Sequence, residues 1–180
     1  MALKSTIYKV SIQIADIERS YYQTHDFTLA CHPSETLSRM LLRVLVYALH
    51  AEEGLQFTKG LSTDDEPDIW KKSLTGELKM WIDLGQPDEK RIRKACGRAE
   101  QVIIYGYQPR SIKAWWQQIG KKLTRFNNLS IYQVSETSFQ ALEELAERSM
   151  QLSCTIDQGD IWLSNGKANI KVERTQIFPQ

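Results

Sequence analysis

The hydrophobic period of the chain changes near residue 35, and this change constrains the fold more than any other feature. From about Ser5 to Cys31 the sequence is rich in β-branched and aromatic residues without helical spacing, which is typical of two long strands joined near residues 17–20. From Leu37 to Ala48 apolar residues recur three and four positions apart, and Ser34 stands before them as a helix-capping residue. The N-terminal part therefore predicts a β-hairpin followed by a helix.

The rest of the chain continues to alternate between strand and helix patterns. No repeat or flexible linker interrupts it, so we expect a single domain over residues 1–180. The order predicts an α/β fold with a mixed central sheet flanked by helices, an N-terminal β-hairpin and short C-terminal strands. Strands are expected over 55–58, 69–72, 77–84, 99–107, 131–134 and 154–173 (with a turn at Asn165-Gly166), and helices from Pro87, over 111–123 and over 137–151.

Composition narrows the function classes. Lys and Arg number 23 and Asp and Glu 22, a formal net charge of +1 that gives no support to a dedicated nucleic-acid binder. The spacing of Cys31, Cys96 and Cys154 fits no metal site or disulfide framework, and the N-terminus has no signal-peptide pattern, so we expect reduced thiols in the cytoplasm. The sequence has no apolar run long enough for a membrane helix, and no phosphate-binding loop, nucleophile elbow or dinucleotide fingerprint.

An acidic cluster is the most informative candidate for chemistry. Glu66-Pro67-Asp68 precedes one predicted strand, and Asp83 ends the next strand of the same predicted hairpin. Adjacent strands lie about 5 Å apart, so the two aspartates can converge at one end of the pair. Converging carboxylates suit Mg²⁺ or Mn²⁺, hard cations that bind oxygen ligands. The alternative is a solvated acidic turn.

This order of elements resembles the core of the PD-(D/E)XK phosphodiesterases, with a helix that carries an acid, a Pro-Asp motif and an acid on the next strand. More specifically, the full chain resembles the YaeQ family, a bacterial group with a variant of that nuclease fold. The resemblance implies a nuclease-like core at about residues 33–107. The matching motifs are His32-Pro33-Ser34-Glu35-Thr36, Lys59-Gly60-Leu61-Ser62, Glu66-Pro67-Asp68-Ile69-Trp70, Trp81-Ile82-Asp83-Leu84-Gly85 and Pro87-Asp88-Glu89-Lys90-Arg91.

The resemblance implies a metal-dependent phosphodiesterase or nuclease in which Asp68 and Asp83 bind Mg²⁺ or Mn²⁺ and Glu35 is the first-helix acid. The pattern also requires a lysine two positions after Asp83, where this sequence has Gly85. A lysine from the next helix can fill that place. An extended connection to Pro87 followed by a helix that packs back along the sheet favours Lys94 as this migrated catalytic lysine.

A second hypothesis is a non-catalytic nuclease-fold module that binds nucleic acid or a protein partner. In that case the carboxylates pair with Lys94 or Arg91 and serve the structure. Glu35 likewise has structural alternatives, either an interaction with the helix dipole in the first turn or an ion pair with Arg39 one helical turn away. Basic residues on the helix after Pro87 suit a phosphate backbone. The candidate nucleic-acid contacts are Lys90, Arg91 and Arg98.

Overall fold

The computed structural model describes residues 3–59 and 63–180. The chain divides into two compact units, Met1–His50 with Thr137–Glu173, and Ala51–Glu136 with Arg174–Gln180. Each unit contains a mixed sheet and helices, so the predicted mixed α/β class is confirmed, with the strands divided between two sheets rather than gathered in one. The single domain over residues 1–180 stays a prediction. Gly60, Leu61 and Ser62, which belong to the predicted turn and to the family resemblance, lie outside the described residues.

The first unit is built on the predicted N-terminal hairpin. Strand β1, Thr6–Asp16, pairs antiparallel with β2, Tyr21–Cys31, and parallel with β8, Ser149–Asp157. Strands β9, Asp160–Ser164, and β10, Asn169–Val172, complete the described sheet in the order β10-β9-β8-β1-β2. Alternate residues of β1 and β8 are buried, which is the period expected of strands with one face against a core.

Helix α1, Leu37–Leu49, carries the predicted apolar stripe, but Thr36 caps it rather than Ser34. The Thr36 hydroxyl oxygen accepts a hydrogen bond from the Arg39 backbone N–H at 3.1 Å, whereas the Ser34 backbone N–H donates to the His32 ring. Every residue from Ser38 to Ala48 is buried. A helix buried on all sides has no solvent face, so its polar side chains must find partners inside the protein.

The helix predicted over residues 137–151 is wrong in its second half. Helix α4 covers only Glu136–Ala141 and continues as a short 3-10 helix, Leu142–Leu145. Strand β8 already begins at Ser149. Every second residue of β8 is buried, namely Met150, Leu152, Cys154 and Ile156. This period of two favours a strand, and it outweighs the helical propensity of the preceding residues.

The second unit contains a second sheet, formed by β3 Leu55–Phe57, β4 Ile69–Lys72, β5 Leu78–Leu84, β6 Ala99–Gly106, β7 Leu129–Val134 and β11 Arg174–Phe178. Its strand order in the described residues is β11-β7-β6-β5-β4-β3. Strands β5, β6 and β7 are parallel, and β4 joins β5 as the predicted antiparallel hairpin. Val102–Tyr105 in β6 is almost completely buried, as its continuous apolar run predicts.

Two helices pack in this second unit. Helix α2, Glu89–Arg98, is capped by Asp88, whose carboxylate accepts the Arg91 backbone N–H at 2.8 Å, so Pro87 precedes the helix rather than opening it. Helix α3, Pro109–Leu123, begins two residues earlier than predicted. Across the described part of the chain, none of the helices has the length and apolar content that a membrane crossing requires.

Candidate functional site

The structure brings Asp68 and Asp83 to the same end of the β4–β5 hairpin. Ile69, at the start of β4, lies opposite Ile82 of β5, so Asp68 directly precedes this pair on one strand and Asp83 directly follows it on the other. The Asp68 backbone N–H donates to the Ile82 carbonyl at 3.0 Å, and its carboxylate Oδ2 accepts the Leu84 backbone N–H at 2.9 Å. Asp68 is 5% exposed and Asp83 4%. The predicted proximity of the two aspartates in this hairpin is therefore observed.

The Asp83 carboxylate is held by an arginine and a tryptophan. Its Oδ2 accepts hydrogen bonds from Trp81 Nε1 and from Arg91 Nε, both at 2.9 Å. Its Oδ1 accepts a hydrogen bond from Arg91 Nη2, also at 2.9 Å. Arg91 therefore binds Asp83 in the bidentate geometry that makes guanidinium–carboxylate pairs strong.

Arg91 also ties helix α2 to the acidic turn before β4. Its Nη1 donates to the Asp64 carbonyl at 2.6 Å, and its Nη2 donates to the Glu66 carbonyl at 2.8 Å. Hydrogen bonding to Asp83 is the main cause that raises the pKa of Arg91, against the opposing effect of burial, and the charges of Asp83, Asp68 and Asp64 add to it. The Arg91 side chain is still 27% exposed, so the pair lies at the edge of the unit.

Lys94 lies elsewhere on α2. Its Nζ donates to Asp65 Oδ1 at 2.7 Å, and the two side chains are 58% and 80% exposed. The hydrogen bond to Lys94 lowers the pKa of Asp65. Gly85, which follows β5, adopts a φ of +104°, so the backbone turns between the hairpin and α2. Arg91 rather than Lys94 contacts Asp83.

Glu35 lies in the first unit, in a buried cluster with two arginines of α1. Its Oε1 accepts hydrogen bonds from Arg39 Nη1 at 2.9 Å and from Arg43 Nε at 2.8 Å. Its Oε2 accepts a hydrogen bond from Arg43 Nη2 at 2.7 Å, and that nitrogen also donates to the Ala30 carbonyl at 3.0 Å. The structural alternative for Glu35, an ion pair with Arg39, is therefore present and is extended by Arg43.

The three candidate nucleic-acid contacts on α2 have different surroundings. Arg91 is bound to Asp83, as described above. The Arg98 guanidinium lies over the Trp81 ring, 5.6 Å from its centroid, and Lys90 is exposed. Their role in nucleic-acid binding stays a prediction.

The metal hypothesis depends on two carboxylates in this hairpin. Within residues 3–59 and 63–180, no group of three or more His, Cys, Asp or Glu side chains is arranged to hold a metal ion. A cation on Asp83 would also lie against the Arg91 guanidinium, which already occupies both carboxylate oxygens. In this arrangement no third carboxylate or imidazole of the described residues joins the two aspartates, and a cationic guanidinium lies against Asp83, so the residues at the hairpin do not fit a divalent cation.

Trp81 is a member of this site that sequence reasoning did not single out. It stands two residues before Asp83 on β5, so their side chains share one face of the strand. That spacing was a signal available in the sequence. Arg91 was one of two cations that the sequence left open as the partner of the carboxylates, and the geometry selects it.

The fold and the site define a mixed α/β protein in which an arginine closes the acidic end of a β-hairpin. The chain belongs to the YaeQ family, whose description is "YaeQ protein" and which matches residues 1–174. It is 44% identical over 175 residues to "Uncharacterized protein YaeQ" of Salmonella typhi, and equally to that of Escherichia coli (strain K12), with 97% of each chain covered.

Solved structures agree with this assignment. The crystal structure of YaeQ protein from Xanthomonas axonopodis pv. citri superposes with a TM-score of 0.92 at 37% sequence identity, covering 96% of this chain and 98% of that one. The crystal structure of YaeQ protein from Pseudomonas syringae gives a TM-score of 0.92 at 30% identity, covering 98% of this chain and 97% of that one. The predicted family is therefore confirmed.

Proposed function

We propose that this chain is a non-catalytic module of nuclease-like descent that binds nucleic acid. The observation that carries the non-catalytic part is the bidentate hydrogen bonding of Arg91 to Asp83, at 2.9 Å for both bonds. The non-catalytic hypothesis predicts that the carboxylates pair with Lys94 or Arg91, and Arg91 is one of these two residues. Its guanidinium supplies the positive charge that a metal ion would otherwise bring to the carboxylate.

Two physical reasons support the proposal that Arg91 stays bound to Asp83 and keeps a metal ion away from the carboxylate. The Asp83 carboxylate is 5% exposed, and truncating one partner of a buried ion pair leaves a charge without its counterion, which is strongly destabilising. Arg91 also bonds to the carbonyls of Asp64 and Glu66, so moving it would release the turn before β4 as well. Displacement by a metal ion must overcome both costs.

The nucleic-acid part of the proposal is supported by the basic residues of the second unit. Lys90, Arg93 and Lys94 project from α2 as exposed side chains, and α3 ends with Lys121 and Lys122. Most of the energy of non-specific nucleic-acid binding comes from such contacts with phosphates. The alternative is that the module binds a protein partner. An oligonucleotide-binding assay distinguishes this alternative from nucleic-acid binding.

A metal-dependent phosphodiesterase is the second candidate. In that case Asp68 and Asp83 would be the metal ligands, Glu35 the accessory acid and Lys94 the lysine beside the attacking water. The position of Asp68 and Asp83 at the same end of the β4–β5 hairpin, with both residues buried, favours it. A bound divalent cation would supply Lewis-acid activation of a phosphate, and it would have to replace Arg91 at Asp83.

Titration calorimetry with Mn²⁺ separates the two candidates. We expect no binding to folded wild type and no cleavage of labelled DNA or RNA with Mg²⁺ or Mn²⁺. Arg91→Gln uncovers the carboxylate, so Mn²⁺ binding should appear in that variant and disappear again in Arg91→Gln/Asp83→Asn. Arg93→Gln removes the same charge two positions further along α2 and should bind no Mn²⁺, like wild type. Mn²⁺ binding by wild type that Asp83→Asn abolishes would support the phosphodiesterase.

We place this function in the bacterial cytoplasm. Cys31, Cys96 and Cys154 are buried free thiols, which suits a reducing compartment. Burial raises the pKa of Cys96 to about 11 and that of Cys154 to about 12, so both remain protonated. Alkylation of all three only after unfolding, in protein prepared without reductant, is the expected result.

A further inference from the structure

The second unit contains a basic groove between α2 and α3, outside the acidic hairpin. It is lined by Glu89 and Arg93 of α2, by Lys121 and Lys122 of α3, and by Arg125 just beyond α3. Its volume is about 390 Å³. We call it the α2–α3 groove.

The charge of the α2–α3 groove is poorly neutralised. Glu89 is its one acidic lining residue, and it lies 3.4 Å from Arg93 and 3.7 Å from Lys122, both long for an ion pair. Lys121 and Arg125 form no ion pair with any residue in 3–59 or 63–180. Four cations against one carboxylate leave a formal +3 in the lining, whereas the whole sequence carries +1.

The helix dipole accounts for only part of this charge. Lys121 and Lys122 lie in the last turn of α3, where cations are favoured by the partial negative charge of the helix end. Arg93 comes from the neighbouring helix, and Arg125 follows the helix end. Cations from separate segments that face one concavity indicate that the lining is suited to an anion.

Arg125 is held at the rim by an aromatic ring. Its guanidinium lies 4.8 Å from the centroid of the Phe126 ring, a cation–π distance. Phe126 in turn packs against the hydrophobic core of the second unit. The guanidinium is therefore partly ordered before a ligand arrives, which reduces the entropy lost on binding.

We propose that the α2–α3 groove binds the phosphodiester backbone of single-stranded nucleic acid. This inference rests on the proposed function and names the surface that performs it. The volume of about 390 Å³ admits one sugar–phosphate unit, and a flexible single strand can follow a concave surface more closely than a rigid duplex. Lysine and arginine side chains make such contacts without reading sequence.

Fluorescence anisotropy with a short labelled single-stranded DNA of mixed sequence tests the groove, at low salt and in the presence of EDTA. The double variant Lys121→Gln/Lys122→Gln should bind about tenfold more weakly, because each lost charge-assisted contact is replaced by water. The slope of log affinity against log salt should fall by about 1.4, since each phosphate contact contributes roughly 0.7 for single strands. Arg125→Gln is an independent second variant with a smaller expected loss.

The matched control is Lys4→Gln/Lys9→Gln, which removes two exposed lysines from the first unit and changes the net charge equally. It should bind as wild type, and circular dichroism should show that all variants fold. Equal losses in the two double variants would overturn the groove as a specific surface. Tighter binding of the matching duplex would overturn the preference for a single strand.

Failure of the groove and failure of the proposed function give different results. Wild type that binds the oligonucleotide, together with a Lys121→Gln/Lys122→Gln variant that binds it equally well, would overturn the groove and leave nucleic-acid binding in place. Wild type that binds neither single strand nor duplex would overturn the proposed function itself.

Discussion

Two buried carboxylates, one in each unit, bind arginine in different ways. Glu35 accepts from both Arg39 and Arg43, and the three side chains are 2%, 9% and 4% exposed. Asp83 accepts from one arginine, Arg91, whose side chain is 27% exposed, and from Trp81. The two arginines that bind Glu35 belong to α1, a helix that is buried on all sides. The Asp83–Arg91 pair instead joins the β4–β5 hairpin to α2 at the edge of the second unit.

This difference in burial distinguishes the Glu35 cluster, which is structural, from the Asp83–Arg91 pair, which lies in the candidate functional site. The Glu35 cluster puts two positive charges around one negative charge in the interior, where removal of the carboxylate would leave like charges together. The Asp83 pair can be partly hydrated when it is broken, because Arg91 is accessible to water. The sequence predicted that Glu35 and Asp83 belong to one acidic active centre. Because the two ion pairs are buried to different degrees, we expect substitutions at these residues to have different effects.

Glu35→Gln should have the largest effect. Replacing the carboxylate leaves Arg39 and Arg43 close to each other in a buried site, so we expect the free energy of unfolding to fall by about 3–5 kcal/mol. Urea denaturation followed by circular dichroism measures this loss. Glu143→Gln, at an exposed position of the same unit, should stay within about 0.5 kcal/mol of wild type. A loss below about 1 kcal/mol for Glu35→Gln would remove the distinction between the two sites.

Arg91→Gln should have the second largest effect. It removes the bidentate partner of Asp83 and the donors to the carbonyls of Asp64 and Glu66. We expect a loss of about 2–3 kcal/mol in urea denaturation, below the range for fully buried pairs because Arg91 is partly hydrated. Arg93→Gln is the control on the same helix, with a change within about 0.5 kcal/mol. Equal stability of the two variants would show that the Asp83 pair does not stabilise the unit.

Asp83→Asn should cost less, about 1–2 kcal/mol, because the amide oxygen can still accept from Trp81 and Arg91 can be hydrated. This is the same chemical change as Glu35→Gln, so the two variants compare the units directly. Asp88→Asn provides the control, since asparagine caps a helix about as well as aspartate and the cost should be a few tenths of a kcal/mol. An Asp83→Asn loss as large as that of Glu35→Gln would contradict the comparison.

Lys94→Ala should have the smallest effect. We expect a slight fall in the melting temperature at neutral pH and a rise in the pKa of Asp65 toward its ordinary value, because its hydrogen bond to Lys94 is the main cause of the lowering. The folded pKa lies below the unfolded value, so the contribution of the pair is present above the unfolded pKa and is lost as pH falls through the folded pKa. An NMR titration of the Asp65 carboxyl carbon measures the shift.

Lys90→Ala is the matched control for that titration, since it removes an exposed lysine of the same helix and should leave the pKa of Asp65 unchanged. A Lys94→Ala variant that instead disturbs the resonances of Asp83 and Arg91 would place Lys94 at the hairpin. That result would favour its predicted catalytic role.

Much of the fold was predictable because the patterns were local. The β-branched and aromatic residues of β1 and β2, the apolar stripe of α1 and the apolar run of β6 each predicted the correct element. Two kinds of error had physical causes. The predicted cap of α1 was Ser34 and the observed cap is Thr36, because both residue types can cap a helix. The helix predicted over residues 137–151 is interrupted by the start of β8, because the burial of alternate residues outweighed helical propensity.

The candidate site was only partly predictable. The hairpin order brought Asp68 and Asp83 together, as the sequence implied. The positive φ of Gly85 between the hairpin and α2 is a backbone conformation that a sequence spacing does not specify. Arg91 contacts Asp83 and Lys94 contacts Asp65, and the catalytic roles of Glu35, Asp68, Asp83 and Lys94 stay predictions.

The sequence by itself determined the mixed α/β class, the family and the location of the acidic hairpin, because hydrophobic period and short motifs are local properties of the chain. Only the tertiary structure decided that the strands form two sheets, that Glu35 binds two arginines in a buried cluster and that Arg91 holds Asp83. Long flexible side chains can reach any of several partners at similar sequence separation. Their choice is made by burial and backbone geometry, which exist only once the chain has folded.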